Sequence, residues 1–315
     1  MEKILFNHDA AIDEFMAAVL LTTMQDKEYC GSVIMNADCI DNFAMQVLWK
    51  IQQFVHQPQY PITLSRARQW NPFPWLYRED CIRESQIDVL KGIPDNNAWP
   101  PFPDGDQFMT ELLTQAVVNG EKLTLLVNCP MTTLRNVLEP NRQLESAIER
   151  LIWMGGAINV DGNLDPTTIP PQVANKKAEW NAFCDPFSVD WVFQNTEFPI
   201  YLFPLDVTNQ ATIRKEFMDQ LAVNAEEFPY SQLAFQSYGL VAAESFYDMW
   251  DVLTTCYIPH PEFFKPAEAM SLAIVTDGFM QGTLEQTECG RSVNVLLDLA
   301  QPDNFYEYVL EQFKR

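Results

Sequence analysis

The stretch that decides the fold is Lys3–Leu21, which has the sequence KILFNHDAAIDEFMAAVLL. Its short apolar run, Ile4-Leu5-Phe6, is typical of a buried strand. The apolar residues between Asp13 and Leu21 recur at helical spacing, which indicates a helix after a short turn. The sequence therefore predicts a strand, a turn and a helix, with polar residues at the point where the strand ends.

Four polar side chains lie around this turn, namely Asn7, Asp9, Asp13 and Glu14. Ligands of open α/β sheets bind outside the carboxyl ends of the strands, so we expect these side chains to converge there. Clustered carboxylates repel one another unless a cation or a polar ligand holds them, and hard oxygen ligands suit Ca²⁺ or Mg²⁺. A helix N-terminus that favours acids in its first turn also explains Asp13 and Glu14, but it does not explain Asp9. Metal binding and helix stabilisation both stay open at this point.

The rest of the chain alternates between strand and helix patterns. Strands are predicted at Ser32–Met35, Pro61–Leu64, Leu123–Val127 and Leu151–Met154, and helices at Asn42–Val55, Asp106–Val118 and Phe305–Phe313. Four prolines between Ile93 and Asp104 predict that Cys81–Asp104 is a long surface excursion. We predict an α/β fold with a single open, mostly parallel sheet flanked by helices, and one domain over residues 1–315.

Composition limits the possible partners and the compartment. The net charge of −23 argues against nucleic acid or an anionic membrane as a partner, because both require clusters of Lys and Arg. The seven cysteines are scattered without a C-x-x-C pair, which is typical of buried free thiols in a reducing compartment. No apolar run is long enough to span a bilayer. These observations predict a cytoplasmic protein with no membrane partner.

Several motifs occur in an order that resembles the nucleoside hydrolases. They are Asn7-His8-Asp9 with Asp13-Glu14, Asn128-Cys129-Pro130, Trp153-Met154-Gly155-Gly156, Asp161-Gly162-Asn163, Glu179-Trp180-Asn181 with Asp185-Pro186, Leu205-Asp206-Val207-Thr208, and Trp250-Asp251. The resemblance runs from residue 3 to about residue 264 and implies the Rossmann-like core of that family. Asn36-Ala37-Asp38-Cys39, Asn71-Pro72-Phe73-Pro74 and Trp250 resemble the purine-specific inosine–adenosine–guanosine branch, because the inosine–uridine branch usually carries a histidine before the late aspartate.

The resemblance implies a Ca²⁺-dependent enzyme that hydrolyses the N-glycosidic bond of purine ribonucleosides. Asp9, Glu14 and Asp251 would hold the cation through carboxylates, and Asn128 would add its backbone carbonyl. The cation would acidify a bound water, and Asp9 would accept the proton as general base before the water attacks C1′. Family members are commonly dimers or tetramers, so the resemblance also implies a homo-oligomer.

The resemblance also assigns residues to the ribose and to the base. Asp13, Met154, Asn163, Glu179 and Asn181 would surround the ribose and position it by contacts with non-reacting groups. Trp250 would stack on the leaving base from one side in place of a histidine general acid, and Tyr77 from the other, with Phe73 nearby in the same loop. Asp38 would lie near the base and accept or relay a proton. The implied catalytic residues are thus Asp9, Asp38 and Trp250.

Departures from the family pattern leave alternatives open. Asn7 stands where the family has its first aspartate, and Glu14 stands where it has a metal-binding aspartate, so the cation must shift or bind more weakly. Ala11 replaces a glycine, which is tolerable only if the turn keeps φ negative there. The alternative function is a weakly active or inactive homologue that binds a ribosyl or other sugar ligand. A phosphatase of the haloacid dehalogenase type is disfavoured, because its aspartate nucleophile would be Asn7.

Overall fold

The computed structural model describes residues 1–56, 60–244 and 246–315. Its strands are β1 Glu2–His8, β2 Lys27–Ile34, β3 Ile62–Leu64, β4 Leu123–Asn128, β5 Ile148–Met154, β6 Ile200–Phe203, β7 Glu268–Ile274, β8 Leu284–Gln286 and β9 Arg291–Val295. Its helices are α1 Ile12–Thr23, α2 Asp41–Phe54, α3 Asp80–Glu84, α4 Gly105–Asn119, α5 Thr132–Leu138, α6 Trp180–Cys184, α7 Pro186–Asn195, α8 Leu205–Thr208, α9 Lys215–Asn224, α10 Pro229–Gly239, α11 Trp250–Cys256 and α12 Pro302–Gln312.

The nine strands of the described ranges form one sheet in the order β3-β2-β1-β4-β5-β6-β9-β7-β8. The pairs from β3 through β9 are parallel, and β7 pairs antiparallel with both β9 and β8. The predicted open, mostly parallel α/β sheet is therefore confirmed. Because β1 lies between β2 and β4, its carboxyl end opens next to the ends of both neighbours.

The central strands are apolar on both faces because helices cover both sides of the sheet. In β1, Ile4 and Phe6 belong to one buried cluster and Leu5 to the other, as the two-residue period of a strand requires. The first cluster includes residues of α1, α2, α10, α11 and α12, and the second includes residues of α4, α5 and α7. Continuous apolar runs such as Leu123–Val127 are thus core strands, as the sequence predicts.

The segment Cys81–Asp104 differs from the predicted surface excursion. It overlaps α3, and Cys81, Glu84 and Leu90 are fully buried against the core. The apolar residues in the first half of the segment pack against the core. The proline-rich second half is irregular and largely exposed. The part that leads away from Tyr77 is therefore anchored to the body of the protein.

The cysteines carry no disulfide within the described ranges. Five of the seven are buried, Cys30 is partly buried and Cys289 is exposed, so the prediction of buried thiols is wrong for Cys289. In the part of the chain that the structure describes, no helix combines the length and apolarity needed to cross a membrane.

Candidate active site

A cavity of about 430 Å³ lies at the carboxyl ends of the central strands. It falls within the size range of small-molecule sites. Its lining consists of acids, amides and aromatic rings, namely Asp9, Ala11, Glu14, Asp38, Phe73, Tyr77, Asp80, Met154, Asn163, Glu179, Trp180, Asn181, Asn209, Glu244, Phe246, Tyr247, Asp248, Trp250 and Asp251. Eleven of these residues are among those that the sequence selected for a site.

The turn after β1 brings Asp9 and Glu14 into the cavity. Ala10 takes the left-handed conformation with φ of 62°, whereas Ala11 has φ of −76°. Ala11 thus keeps the negative φ that a residue other than glycine prefers, because the left-handed conformation falls on its neighbour Ala10. Burial raises the pKa of Asp9 to about 6, and the Asp9 carboxylate accepts a hydrogen bond from the Asp38 amide at 3.3 Å.

Glu14 and Asp251 face Asp9 from two helices, α1 and α11. Burial raises the pKa of Glu14 well above its usual range, and the charges of Asp251 and Asp9 raise it further. Burial likewise raises the pKa of Asp251, and the charges of Asp13 and Asp9 raise it further. Three buried carboxyl groups that oppose one another's ionisation require protons or a cation to be stable together.

Asp13 lies outside the cavity lining, in contrast to its expected place beside the ribose. Its carboxylate accepts bonds from the Tyr238 hydroxyl at 2.6 Å and from the backbone amides of Asp251 and Val252 at 2.6 and 3.0 Å. These amides belong to the first turn of α11, whose positive dipole end favours a carboxylate. Asp13 thus caps the helix that presents Asp251, and its oxygens are already occupied.

Asn7 also does not reach the cavity, so the four polar residues of the first turn do not all converge. The Asn7 amide donates to the Val33 carbonyl at 2.9 Å and joins β1 to β2. Successive side chains of a strand point to opposite faces, so Asn7 lies on the same face of β1 as Leu5 and on the opposite face from Phe6. Asn7 is therefore not part of the cavity lining, and its Oδ1 is buried without a hydrogen-bond partner.

Several buried polar atoms near Asp9 have no hydrogen-bond partner. They are Glu14 Oε2, Asp251 Oδ1, Asp38 Oδ1 and both amide atoms of Asn128. Asn128 is opposite His8 in the β1–β4 register and lies outside the cavity lining. Unsatisfied buried oxygens of this kind are the ligands that a hard cation prefers. The donor chemistry therefore fits a cation such as Ca²⁺, although no three acid, thiol or imidazole groups of the described residues converge at metal-binding spacing.

The residues expected around the ribose line the cavity, except Asp13. Glu179 caps α6 and accepts bonds from the amides of Gly156, Asn181 and Ala182 at 2.7, 2.8 and 3.1 Å. Burial raises the pKa of Glu179 to about 7. The Asn181 amide donates to the Met154 carbonyl at 3.1 Å. Gly156 has φ of 74°, which lets its N–H point at Glu179.

Aromatic rings form another part of the cavity lining. The Phe73 and Trp180 ring centroids are 4.9 Å apart, and Tyr77 lies 6.2 Å from Phe246. The Tyr77 hydroxyl donates to Asp165 at 2.9 Å, which fixes the ring, and burial raises its pKa to about 12. Trp250 lies 4.8 Å from Tyr247. Tyr77 and Trp250 thus line the same cavity, which is a requirement for stacking on the two sides of one base.

Sequence reasoning did not select several lining residues. Trp180 stands inside the quoted Glu179-Trp180-Asn181 motif, and Phe246 and Tyr247 closely precede Trp250, so their positions in the sequence carried a signal. Asn209 directly follows the Leu205–Thr208 motif and Asp248 precedes Trp250 by two residues, whereas Asp80 and Glu244 have no motif around them. Long-range packing alone brings these last two acids to the cavity.

Comparison with known proteins identifies the family. A family model described as inosine-uridine preferring nucleoside hydrolase matches residues 4–307. The chain belongs to this nucleoside hydrolase family. The crystal structure of an inosine-uridine preferring nucleoside hydrolase from Bacillus anthracis is similar, with 29% identity, a TM-score of 0.87 and coverage of 100% of this chain and 99% of that one. A purine-preferring ribonucleoside hydrolase from Gardnerella vaginalis shares the fold at 17% identity, with a TM-score of 0.78 and coverage of 99% and 98%.

The curated relatives that match this nucleoside hydrolase family member are named as pyrimidine-specific enzymes. The pyrimidine-specific ribonucleoside hydrolase RihA of Shewanella sp. strain ANA-3 is 35% identical over 123 residues, which is 39% of this chain and 35% of that protein. RihA of Shewanella oneidensis is 35% identical over 145 residues, or 45% and 42% of the two chains. The matched region thus spans less than half of these relatives. The predicted resemblance to the nucleoside hydrolases is confirmed at the level of the family, which is known for a metal-dependent active site.

Proposed function

We propose that this protein hydrolyses the N-glycosidic bond of ribonucleosides, purine ribonucleosides in particular, with Ca²⁺ as its cofactor. The observation that supports this is one cavity in which carboxylates and amides meet a set of aromatic rings. The acids and amides suit the sugar and a developing positive charge, and the rings suit a nucleobase. Membership of the nucleoside hydrolase family supports the same reaction.

Asp9, Glu14 and Asp251 would hold the cation through their carboxylates, and Asn128 would contribute a backbone carbonyl. A bound Ca²⁺ would supply Lewis acidity to the nucleophilic water and charge compensation to the buried acids. Asp9 acts as the general base, because its carboxylate lines the cavity and burial raises its pKa to about 6. A base of that pKa is ionised at neutral pH and still accepts a proton readily.

Glu179, Asn181, Asn163 and Met154 position the ribose along their wall of the cavity. The Glu179 oxygens are held by three backbone amides, so the carboxylate is fixed before substrate enters. Positive charge develops on the sugar as the bond to the base breaks, and buried acids stabilise that charge more than the neutral ground state. Asp13 acts indirectly, because it orients α11 and therefore Asp251.

The base leaves between Trp250 and Tyr77, with Phe73 behind Tyr77. No histidine of the described residues lines the cavity, so an imidazole general acid is not part of the proposal. Asp38 has a buried oxygen without a partner and exchanges protons with the departing base. The rings of Phe73, Trp180 and Phe246 extend the apolar surface around Tyr77, which suits a two-ring base.

The proposal is tested by ribose release from inosine, adenosine, guanosine, cytidine and uridine, with Ca²⁺ and then with excess chelator. Calcium-dependent release from the purine ribonucleosides is the expected result. An Asp251→Asn variant should lose activity by about 100-fold or more, because one charged ligand is removed, while an exposed acid on another helix, Asp219→Asn, is the control. Release of pyrimidines alone would refute the purine assignment, and no release from any nucleoside would refute the reaction.

A second candidate is a protein that binds a ribosyl or other sugar ligand without turnover. It is favoured by Glu14, which stands at the position of a metal-binding aspartate. Titration calorimetry with ribose and nucleosides separates the two candidates. Binding without ribose release, with and without Ca²⁺, would support the second.

A further inference from the structure

The aromatic half of the cavity contains two acids, Asp80 and Glu244, that the reaction does not use. Asp80 follows Tyr77 by three residues, and Glu244 precedes Phe246 by two, so they accompany two rings that lie 6.2 Å apart. Both acids line the cavity. Neither acid is among the residues proposed to hold the ribose, and both neighbour rings proposed to surround the base, so they are assigned to the part of the substrate that is remote from the sugar.

Arg83 holds both acids from outside the cavity. Its Nη1 donates to Asp80 at 2.8 Å and to Glu244 at 3.3 Å, and its Nη2 donates to the Leu240 carbonyl. Arg83 is not among the lining residues. Because one guanidinium serves one oxygen of each acid, the other two oxygens, Asp80 Oδ2 and Glu244 Oε2, have no protein donor among the described contacts. They are available to a ligand.

Ion pairs with Arg83 fix one oxygen of each acid in this arrangement. Burial raises the pKa of Asp80, and the charge of Arg83 opposes that rise. The Asp80 and Glu244 side chains are 13% and 33% exposed, so both are partly shielded from water. In addition, no Lys, Arg or His of the described residues lines the cavity. The aromatic half thus presents the two carboxylate oxygens that Arg83 leaves unbonded to the outer edge of a base, while Arg83 itself lies outside the cavity lining.

Ionised carboxylates accept hydrogen bonds and cannot donate them. An exocyclic amino group, as in adenine or cytosine, offers two N–H donors to such acceptors. A carbonyl at the same position, as in hypoxanthine or uracil, brings an acceptor against acceptors and leaves a desolvated oxygen unpaired. The two classes of base are nearly equal in size and shape, so packing against the rings does not distinguish them.

We propose that Asp80 and Glu244, held by Arg83, select ribonucleosides whose base carries an exocyclic amino group at the edge remote from the sugar. The inference rests on the proposed function, because it assigns a substrate class to the same cavity. It is independent of ring size, since adenosine and cytidine both carry the amino group. Asp80 and Glu244 are specificity-determining residues in this scheme, and Arg83 is a positioning residue.

The test compares two matched pairs, adenosine with inosine and cytidine with uridine. We expect kcat/KM to be about tenfold or more higher for the amino member of whichever pair is hydrolysed, because a site built for donors rejects the analogue that lacks them. Asp80→Asn and Glu244→Gln each introduce an amide that both donates and accepts, so each should bring the ratio toward one. Glu79→Gln, an exposed neighbour outside the cavity, should keep the wild-type ratio.

Both Asp80→Asn and Glu244→Gln are included, so that if one variant folds poorly the other still tests whether the acids set the ratio. Titration calorimetry with the same four nucleosides gives the ratio of dissociation constants if turnover is slow. Equal kcat/KM values within a pair, or a ratio unchanged in both variants, would overturn the inference while the hydrolase proposal stands. Absence of both turnover and binding for all four nucleosides would overturn the two proposals together.

Discussion

Replacing Glu84 by glutamine should make the protein more stable at alkaline pH and its unfolding free energy less dependent on pH. Glu84 lies on α3 and is fully buried. Its Oε1 is 2.6 Å from the Ser237 hydroxyl, which also lies 2.9 Å from the Leu233 carbonyl. A single hydroxyl proton cannot serve both acceptors well, whereas a protonated Glu84 donates to Ser237 and leaves the Ser237 proton for Leu233.

The size of the effect follows from linkage. Burial raises the pKa of Glu84 from 4.5 to about 8, with Ser237 opposing and Asp80 adding to the rise. The folded protein thus holds a proton on Glu84 that the unfolded chain loses above pH 4.5. Stability from this proton is complete below pH 4.5 and is lost as the pH rises toward 8. At about 1.4 kcal/mol per pH unit, the loss has an upper limit of about 5 kcal/mol.

The assay is denaturant unfolding from pH 4 to pH 9, with chelator present so that metal binding does not contribute. Glu84→Gln keeps the side-chain shape and a donor toward Ser237, so the wild type and the variant should be similar near pH 4 and diverge above it. The exposed Glu79→Gln on the same segment is the control. Parallel stability curves for wild type and Glu84→Gln between pH 5 and pH 9 would refute a neutral buried Glu84.

Three further changes test the site. Gly156→Ala should lower the unfolding free energy by about 2 kcal/mol because φ is 74° and the new Cβ meets a leucine side chain, whereas Gly239→Ala, which has open space, should be neutral or slightly stabilising. Tyr77→Phe, which loses only the bond to Asp165, should keep kcat/KM within about threefold, whereas Tyr77→Ala should lose tenfold or more with the ring; equal losses would argue against stacking. Asp13→Asn should lower the unfolding free energy by about 2 kcal/mol together with kcat, because it weakens the cap of α11; a rise in KM with unchanged stability would instead indicate ribose binding.

The alternation of apolar runs and polar strand ends was enough to predict the sheet and the edge where the site forms. Leu123–Val127 and Leu151–Met154 are strands because their apolar residues need burial on both faces. Asp9 and Glu14 could be placed in the site since one follows a strand end and the other begins the next helix. These are local signals, which a sequence carries directly.

The parts that sequence reasoning did not reach depend on contacts between distant segments. Asp13 carries a carboxylate, as a ribose ligand requires, but its oxygens already accept hydrogen bonds from Tyr238 and from the first turn of α11. Asp80 and Glu244 are 164 residues apart along the chain, and hydrogen bonds from Arg83 bring them together at the cavity. No periodicity or motif encodes such a meeting, because each partner is an ordinary surface residue when considered alone.

The hydrogen bond between the Asp13 carboxylate and the Asp251 amide joins positions 238 residues apart. During synthesis on the ribosome, the strand and turn that carry Asp9 and Glu14 emerge early, but the helix that completes their site is made only when about four fifths of the chain exists. Truncated products that end before α11 keep the crowded acids without the partner that orients them. The cell therefore obtains a finished cavity only from a nearly finished chain.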